Sequence, residues 1–245
     1  MTGTPAGTNP TRSITVDDRS EFRARLNEAL AIDPGRTAAL TIDMQREYLD
    51  ESVGQSVVVP SEAKRVLTAS DEFLGLCRDV GIPVVHAYVV RRPEEAEVGF
   101  HSGGLAYIAA GHKAGLSQAP HRPVRNQPDR VVGSDASQVP ETLTAPGDIH
   151  VTEKKGLDSF AHTDLDFLLR RILDVDTLLL SGINTDTCVY STTFTAANLG
   201  YRPVVISDCV ASMRGIDSHE MALELISRSI AWVLDLEQLR ARLRS

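Results

Sequence analysis

Residues 177–208 read TLLLSGINTDTCVYSTTFTAANLGYRPVVISD. The run 177–183 is strongly apolar and of strand length, 182–187 carries turn residues, and 188–199 has helical periodicity closed by Gly200. A further apolar run, 204–207, follows almost at once. Strand, turn, helix and strand in that order make one crossover unit of a parallel sheet. Working outward, apolar runs recur at 37–43, 83–90, 150–152 and 230–234, and helical patterns cover 61–80, 163–173 and 218–229. This alternation predicts one three-layer α/β/α domain with a mainly parallel, Rossmann-like sheet of about six strands and right-handed crossovers. The domain is expected to span residues 20–245, its first helical pattern (20–31) packing outside the sheet. Residues 1–19 are polar, rich in Gly, Pro and Thr at their start, and read as a flexible tail with no secretory signal.

The composition excludes several classes of partner. A formal charge of −8 and a pI near 5.4 leave no basic stripe with which to neutralise phosphates, so nucleic acid is not expected. No apolar run approaches the roughly 18 residues of a membrane span, which argues against a membrane partner. Three widely spaced cysteines, Cys77, Cys188 and Cys209, fit neither a disulfide framework nor a paired-cysteine metal site, as expected of a cytoplasmic protein. The stretch 91–148 breaks the rhythm: it is long, rich in proline and glycine, and only patchily periodic. An excursion of that length in a compact domain is expected to shape a pocket, join subunits, or both.

Three groups with complementary chemistry fall at strand ends. Cys188 opens a helix, where the free N–H groups and the positive end of the dipole are expected to lower the thiol pKa below about 8.5. The alternative is an inert buried thiol, and Cys209, with no evident acid or amine partner, is expected to be one. In TAALTIDMQREYLD (37–50), Asp43 closes an apolar strand on the side where open α/β sheets place ligands. In IHVTEKKGLDSFAHTDLDFLLRRIL (149–173), Lys154 ends a short extended run ahead of a helix.

With these landmarks on the page the chain resembles the isochorismatase-like cysteine hydrolase superfamily from Thr37 to Glu237. The resemblance rests on Asp43, Met44 and Gln45 after the first strand, on Lys154 four residues before Asp158, Phe160, Thr163 and Leu165, and on the glycine-to-cysteine turn at 182–189. It implies a Cys188–Asp43–Lys154 triad. In that scheme Asp43 takes the thiol proton, Cys188 attacks an amide or ureide carbonyl, and Lys154 steadies both charges. It also implies a cis peptide between Ile183 and Asn184, beside an oxyanion site formed by the backbone N–H groups of Asn184 and Cys188.

The run PVVHAYVVRRPEEAEVGFH (83–101) lacks the Asp and two His that bind metal in the nicotinamidase branch, so no metal and no cofactor are expected. Retention of the cysteine points to the metal-free amidases of carbamoyl, ureido, biuret and maleamate substrates, with a small amide or ureide as partner. Dimers or tetramers are expected from the same resemblance. His86, inside an apolar strand, is expected to be a hydrogen-bonded core residue, whereas His101, His112 and His121 are loop residues free to meet substrate. Pocket candidates are Gln45 and Tyr48 after Asp43, Arg91 at the end of the second strand, Phe160 as an apolar wall, and Thr187 beside the nucleophile. Gln45 and Tyr48 serve equally well as loop contacts, Phe160 as helix packing, and Arg91 or its neighbour Arg92 as a surface ion pair. Two other functions stay open: an ether or ester hydrolase using Asp43 alone as acid, and a binding module without turnover.

Overall fold

A computed structural model describes residues 16–98, Tyr107 and 130–244. Residues 1–15, most of the 91–148 excursion, and with it His101, His112 and His121, lie outside the described residues. Six strands form one all-parallel sheet: β1 (Thr37–Ile42), β2 (Val84–Ala87), β3 (Ile149–Val151), β4 (Thr177–Ile183), β5 (Arg202–Ala211) and β6 (Trp232–Leu234). Their spatial order is β3-β2-β1-β4-β5-β6. The order reverses between β1 and β4, so the crevice beyond their C-terminal ends is where such a sheet receives ligands.

Side-chain alternation divides the core in two. Ala38, Leu40 and Ile42 of β1 and Leu178 and Leu180 of β4 pack with Leu165, Leu169, Val189, Ala196, Leu223 and Ile226. These last come from α5 (Leu165–Phe167, continued by a π-turn to Ile172), α6 (Tyr190–Asn198) with its preceding turn, and α7 (Ile216–Ser229). On the other face Ala39, Leu179 and Ile183 meet Val66, Phe73, Leu74 and Cys77 of α3 (Pro60–Asp79), with Leu236 and Leu239 of α8 (Leu236–Leu243). Complete burial of β1 and β4 on both faces explains why they read as unbroken apolar runs.

The remaining elements are local. α1 (Ser20–Glu28) lies outside the edge strand β6: Asn27 donates to the Val233 carbonyl at 3.0 Å, and the Trp232 indole N–H donates to the Leu26 carbonyl at 3.2 Å. α2 (Arg46–Leu49) is a single turn after β1. The excursion is more regular than its sequence suggests, for it holds α4 (Pro93–Val98) and two short 3-10 turns, Asp135–Ser137 and Glu141–Leu143. α8, absent from the apolar pattern, is started by a capping box in which Asp235 accepts from the Gln238 N–H and the Gln238 side chain accepts from the Asp235 N–H.

Candidate active site

Asp43, Lys154 and Cys188 leave the ends of β1, β3 and β4. Asp43 is the residue after β1, held by its N–H donating to the Ala87 carbonyl at 2.9 Å, with φ at 52° in the left-handed region. That turn directs the carboxylate inward, where it is wholly buried. The Lys154 ammonium, equally buried, donates to Asp43 Oδ2 at 2.6 Å and to the Gly156 carbonyl at 2.7 Å. Asp43 Oδ1 has no hydrogen-bond partner. The adjacent Lys155 turns elsewhere, donating to the Val90 carbonyl at 2.6 Å and to Glu95 at 2.8 Å.

Close approach of β4 to β1 makes this meeting possible. At Gly182, with φ of 144°, a Cβ would lie 2.1 Å from the Ile42 carbonyl oxygen, so only glycine admits this contact beside Asp43. A cis peptide joins Ile183 to Asn184 immediately afterwards. The Asn184 side chain accepts from the Met213 N–H at 2.8 Å, and its own carbonyl accepts from the N–H groups of Thr187 and Val189. These bonds tie the turn to the end of β5.

Cys188 does not open the α-helix. It is the fourth residue of a π-turn, Thr185–Val189, and α6 begins only at Tyr190. Nor is its pKa depressed. Burial is the main cause pushing the thiol up to about 11; the Lys154 and Arg130 charges oppose the rise, and the Asp43 carboxylate adds to it. The sequence expectation fails here because a dipole's pull is small beside the cost of placing a thiolate where water is excluded. Lys154 shows the other balance. Burial disfavours its charge, yet the Asp43 and Cys188 neighbourhood outweighs that and raises its pKa.

The pocket candidates separate. Tyr48 is buried near Asp43 and Cys188: burial holds its hydroxyl pKa well above the usual range, the Arg130 charge opposes this, and Asp43 and Cys188 reinforce it. Gln45 is a brace, since its amide nitrogen donates to the Val89 and Ser137 carbonyls, both at 2.8 Å, while its Oε1 stays unpartnered. Arg91 is buried and its N–H donates to the Arg130 carbonyl at 3.0 Å. Phe160 stacks on Tyr201 at 5.7 Å within the apolar cluster that also contains Cys188. Thr187 is half-buried and precedes Cys188 directly. His86 is fully buried between Thr41 (2.7 Å at Nδ1) and Asp148 (3.2 Å at Nε2). Among the described residues no three His, Cys, Asp or Glu side chains gather as metal ligands, and no helix is long and apolar enough to cross a membrane.

Two residues near the site escaped the sequence analysis. Arg130 is buried, with φ of 47°, and its Nη1 donates to the Tyr48 hydroxyl at 2.5 Å while the guanidinium lies 5.5 Å from the Tyr48 ring centre. It stands alone in a loop with no periodicity around it, so no local pattern distinguishes it from a surface arginine. Glu47 was missed because it is buried on the single turn α2, which is too short to show a periodic pattern.

Comparison with known proteins bears on this arrangement. The Isochorismatase domain matches residues 37–238. A ureidoacrylate amidohydrolase of Methylobacterium radiotolerans is 29% identical, over 85% of this chain and 80% of that protein. A maleamate amidohydrolase of Pseudomonas putida is 28% identical, over 77% and 78%. Among solved structures, a cysteine hydrolase from Pseudomonas syringae pv. phaseolicola superposes with a TM-score of 0.71, covering 88% of this chain and 95% of that one at 20% identity, which speaks for the fold.

Proposed function

The chain belongs to the isochorismatase family of hydrolases, and on that premise we propose that it hydrolyses the C–N bond of a small amide, carbamoyl or ureido compound through an acyl-enzyme on Cys188. The observation that carries this is the buried Lys154–Asp43 pair at 2.6 Å, which engages one carboxylate oxygen and lies close enough to Cys188 for both charges to act on its thiol. With the thiol held protonated, attack requires a base. Asp43 removes the Cys188 proton as Sγ bonds to the carbonyl carbon, then gives that proton to the departing nitrogen as the C–N bond breaks. Water, deprotonated by the same carboxylate, attacks the thioester; its oxygen stays on the acid product and the thiol is restored. Lys154 keeps its protons at neutral pH, because its pKa is raised, and acts as a fixed positive charge. The amidohydrolases among the relatives support this reaction class.

The raised thiol pKa favours one competitor, an ether or ester hydrolase in which Asp43 works alone and the thiol is a bystander. Ammonia release from a panel of primary amides, carbamoyl compounds, biuret and maleamate separates the two. Cys188→Ala is expected to abolish it, with a loss of about 10⁴-fold or more in kcat. Retained activity in the variant would transfer the chemistry to Asp43.

A further inference from the structure

We propose that His219 is a positioning residue for Cys188, acting through Thr185 to hold the turn that carries the thiol. The catalytic consequence rests on the function proposed above; the brace itself does not. Three successive residues ahead of the nucleophile are each bonded through their side chains to one segment, 212–219, which leaves β5 and enters the first turn of α7. The Asn184 side chain accepts from the Met213 N–H at 2.8 Å. The Asp186 carboxylate accepts from the Ser212 hydroxyl at 2.7 Å and pairs with Arg214 at 3.2 Å. Between them Thr185 Oγ1 meets His219 Nδ1 at 2.8 Å. This last pair is closed to water on both sides, Thr185 being wholly buried and His219 6% exposed. A single π-turn has few backbone bonds of its own, so ties of this kind decide where Cys188 sits.

The chemistry of the pair fixes which partner donates. A buried hydroxyl proton needs an acceptor, and His219 Nδ1 is the side-chain atom that Thr185 Oγ1 meets. The ring therefore accepts at Nδ1 and carries its own proton on Nε2, which is the neutral form. Its surroundings keep it so. Burial is the main cause lowering the His219 pKa and Arg65 of α3 adds to it, against the pull of Glu220 on α7, Glu62 on α3 and Asp186 on the turn. Thr185 thus has a fixed acceptor on the helix behind it, three residues before the nucleophile. Loss of that acceptor or of the hydroxyl frees the turn to shift and admits water to a thiol that burial now holds protonated. Displacement of a nucleophile by a fraction of an ångström slows attack, while greater access speeds reaction with a small external reagent. The two effects have opposite signs.

The test measures alkylation of Cys188 by iodoacetamide in the native protein, followed by peptide mass spectrometry, beside kcat and KM for ammonia release and the urea midpoint. Thr185→Val removes the hydroxyl at nearly constant shape. It is expected to raise the alkylation rate about 10-fold, the weight of one buried hydrogen bond, and to lower kcat by about 10-fold or more with KM changed less than about twofold. Thr185→Ser restores the hydroxyl and is expected to recover most of both. Thr185→Val combined with His219→Leu is expected to be no worse than either alone, because the two residues act as one pair. Circular dichroism establishes that each variant is folded; if Thr185→Val is not, His219→Asn, which can place an amide oxygen near Nδ1, is compared with His219→Leu in the same way. A lowered urea midpoint with unchanged alkylation and kcat would give the pair a stabilising role only and overturn the proposal, as would equal changes in folded Thr185→Ser and Thr185→Val. The alkylation readout needs only the thiol. Faster alkylation of Thr185→Val, in a protein whose wild type releases no ammonia from any amide, would overturn the amidase function and leave the brace standing.

Discussion

Lys154 is a wholly buried cation whose ammonium is divided between Asp43 and the Gly156 carbonyl. Removing one member of such a pair leaves the other charged, buried and alone. Lys154→Met is therefore expected to lower unfolding stability by about 3–5 kcal/mol, whereas Asp43→Asn combined with Lys154→Met recovers much of that loss without recovering turnover. Urea unfolding of the two variants, with ammonia release measured beside it, checks the separation; equal instability of the single and double variants would mean that the pair is not the source. The sign of the pH effect follows from the raised Lys154 pKa. Its contribution is complete below the ordinary value of 10.5 and is lost as pH rises through the higher folded value. Cys188 illustrates the same physics with the opposite consequence, since burial without a dominant counter-charge keeps the thiol protonated.

At the scale of elements, the β2–β3 edge is tied by a buried polar chain that runs from Thr41 through His86 to Asp148 and on to Arg78, whose guanidinium reaches Asp148 at 2.6 Å. Burial is the main cause holding His86 down at about 4, against the pull of Asp148. Burial works against the Asp148 charge, but Arg78, the Ala145 N–H and His86 together hold its pKa low. Both shifts act in one direction. Between pH 6.5 and 4 the unfolded chain takes up a proton that folded His86 refuses, so about 3 kcal/mol of stability is expected to disappear across that window. The urea midpoint followed from pH 7 to 4 measures it; a flat midpoint in the wild type, or an unchanged slope in His86→Gln, would assign the acid sensitivity elsewhere. The π-turn before α6 and the bulge of β5 between Val205 and Val210 also belong to this scale. Neither has a periodic signature, because each is set by what the strand ends must reach.

For the molecule as a whole, the candidate site is assembled beyond the ends of three parallel strands, and the Lys154–Asp43 contact closes over 111 residues of sequence. Such a site exists only while the sheet does. Loss of turnover, of helical circular dichroism and of the fluorescence of Trp232, which sits on the far edge strand β6, is expected to share one urea midpoint. Turnover lost well before the other two signals would show that the site opens locally. The strands, most of the helices and the placing of Asp43, Lys154 and Cys188 beyond strand ends were legible in the sequence, because apolar periodicity, turn residues and the end of an apolar run are local properties of the chain. The helix stop at Gly200 is one case: the glycine takes φ of 84° just past Leu199, the C-cap of α6. Tertiary structure alone decided the strand order, the raised thiol pKa, and the burial of Arg130 against Tyr48. The reason is physical: desolvation and Coulomb energy depend on which distant segments exclude water and carry charge around a group, and those neighbours exist only after the sheet has brought the strand ends together.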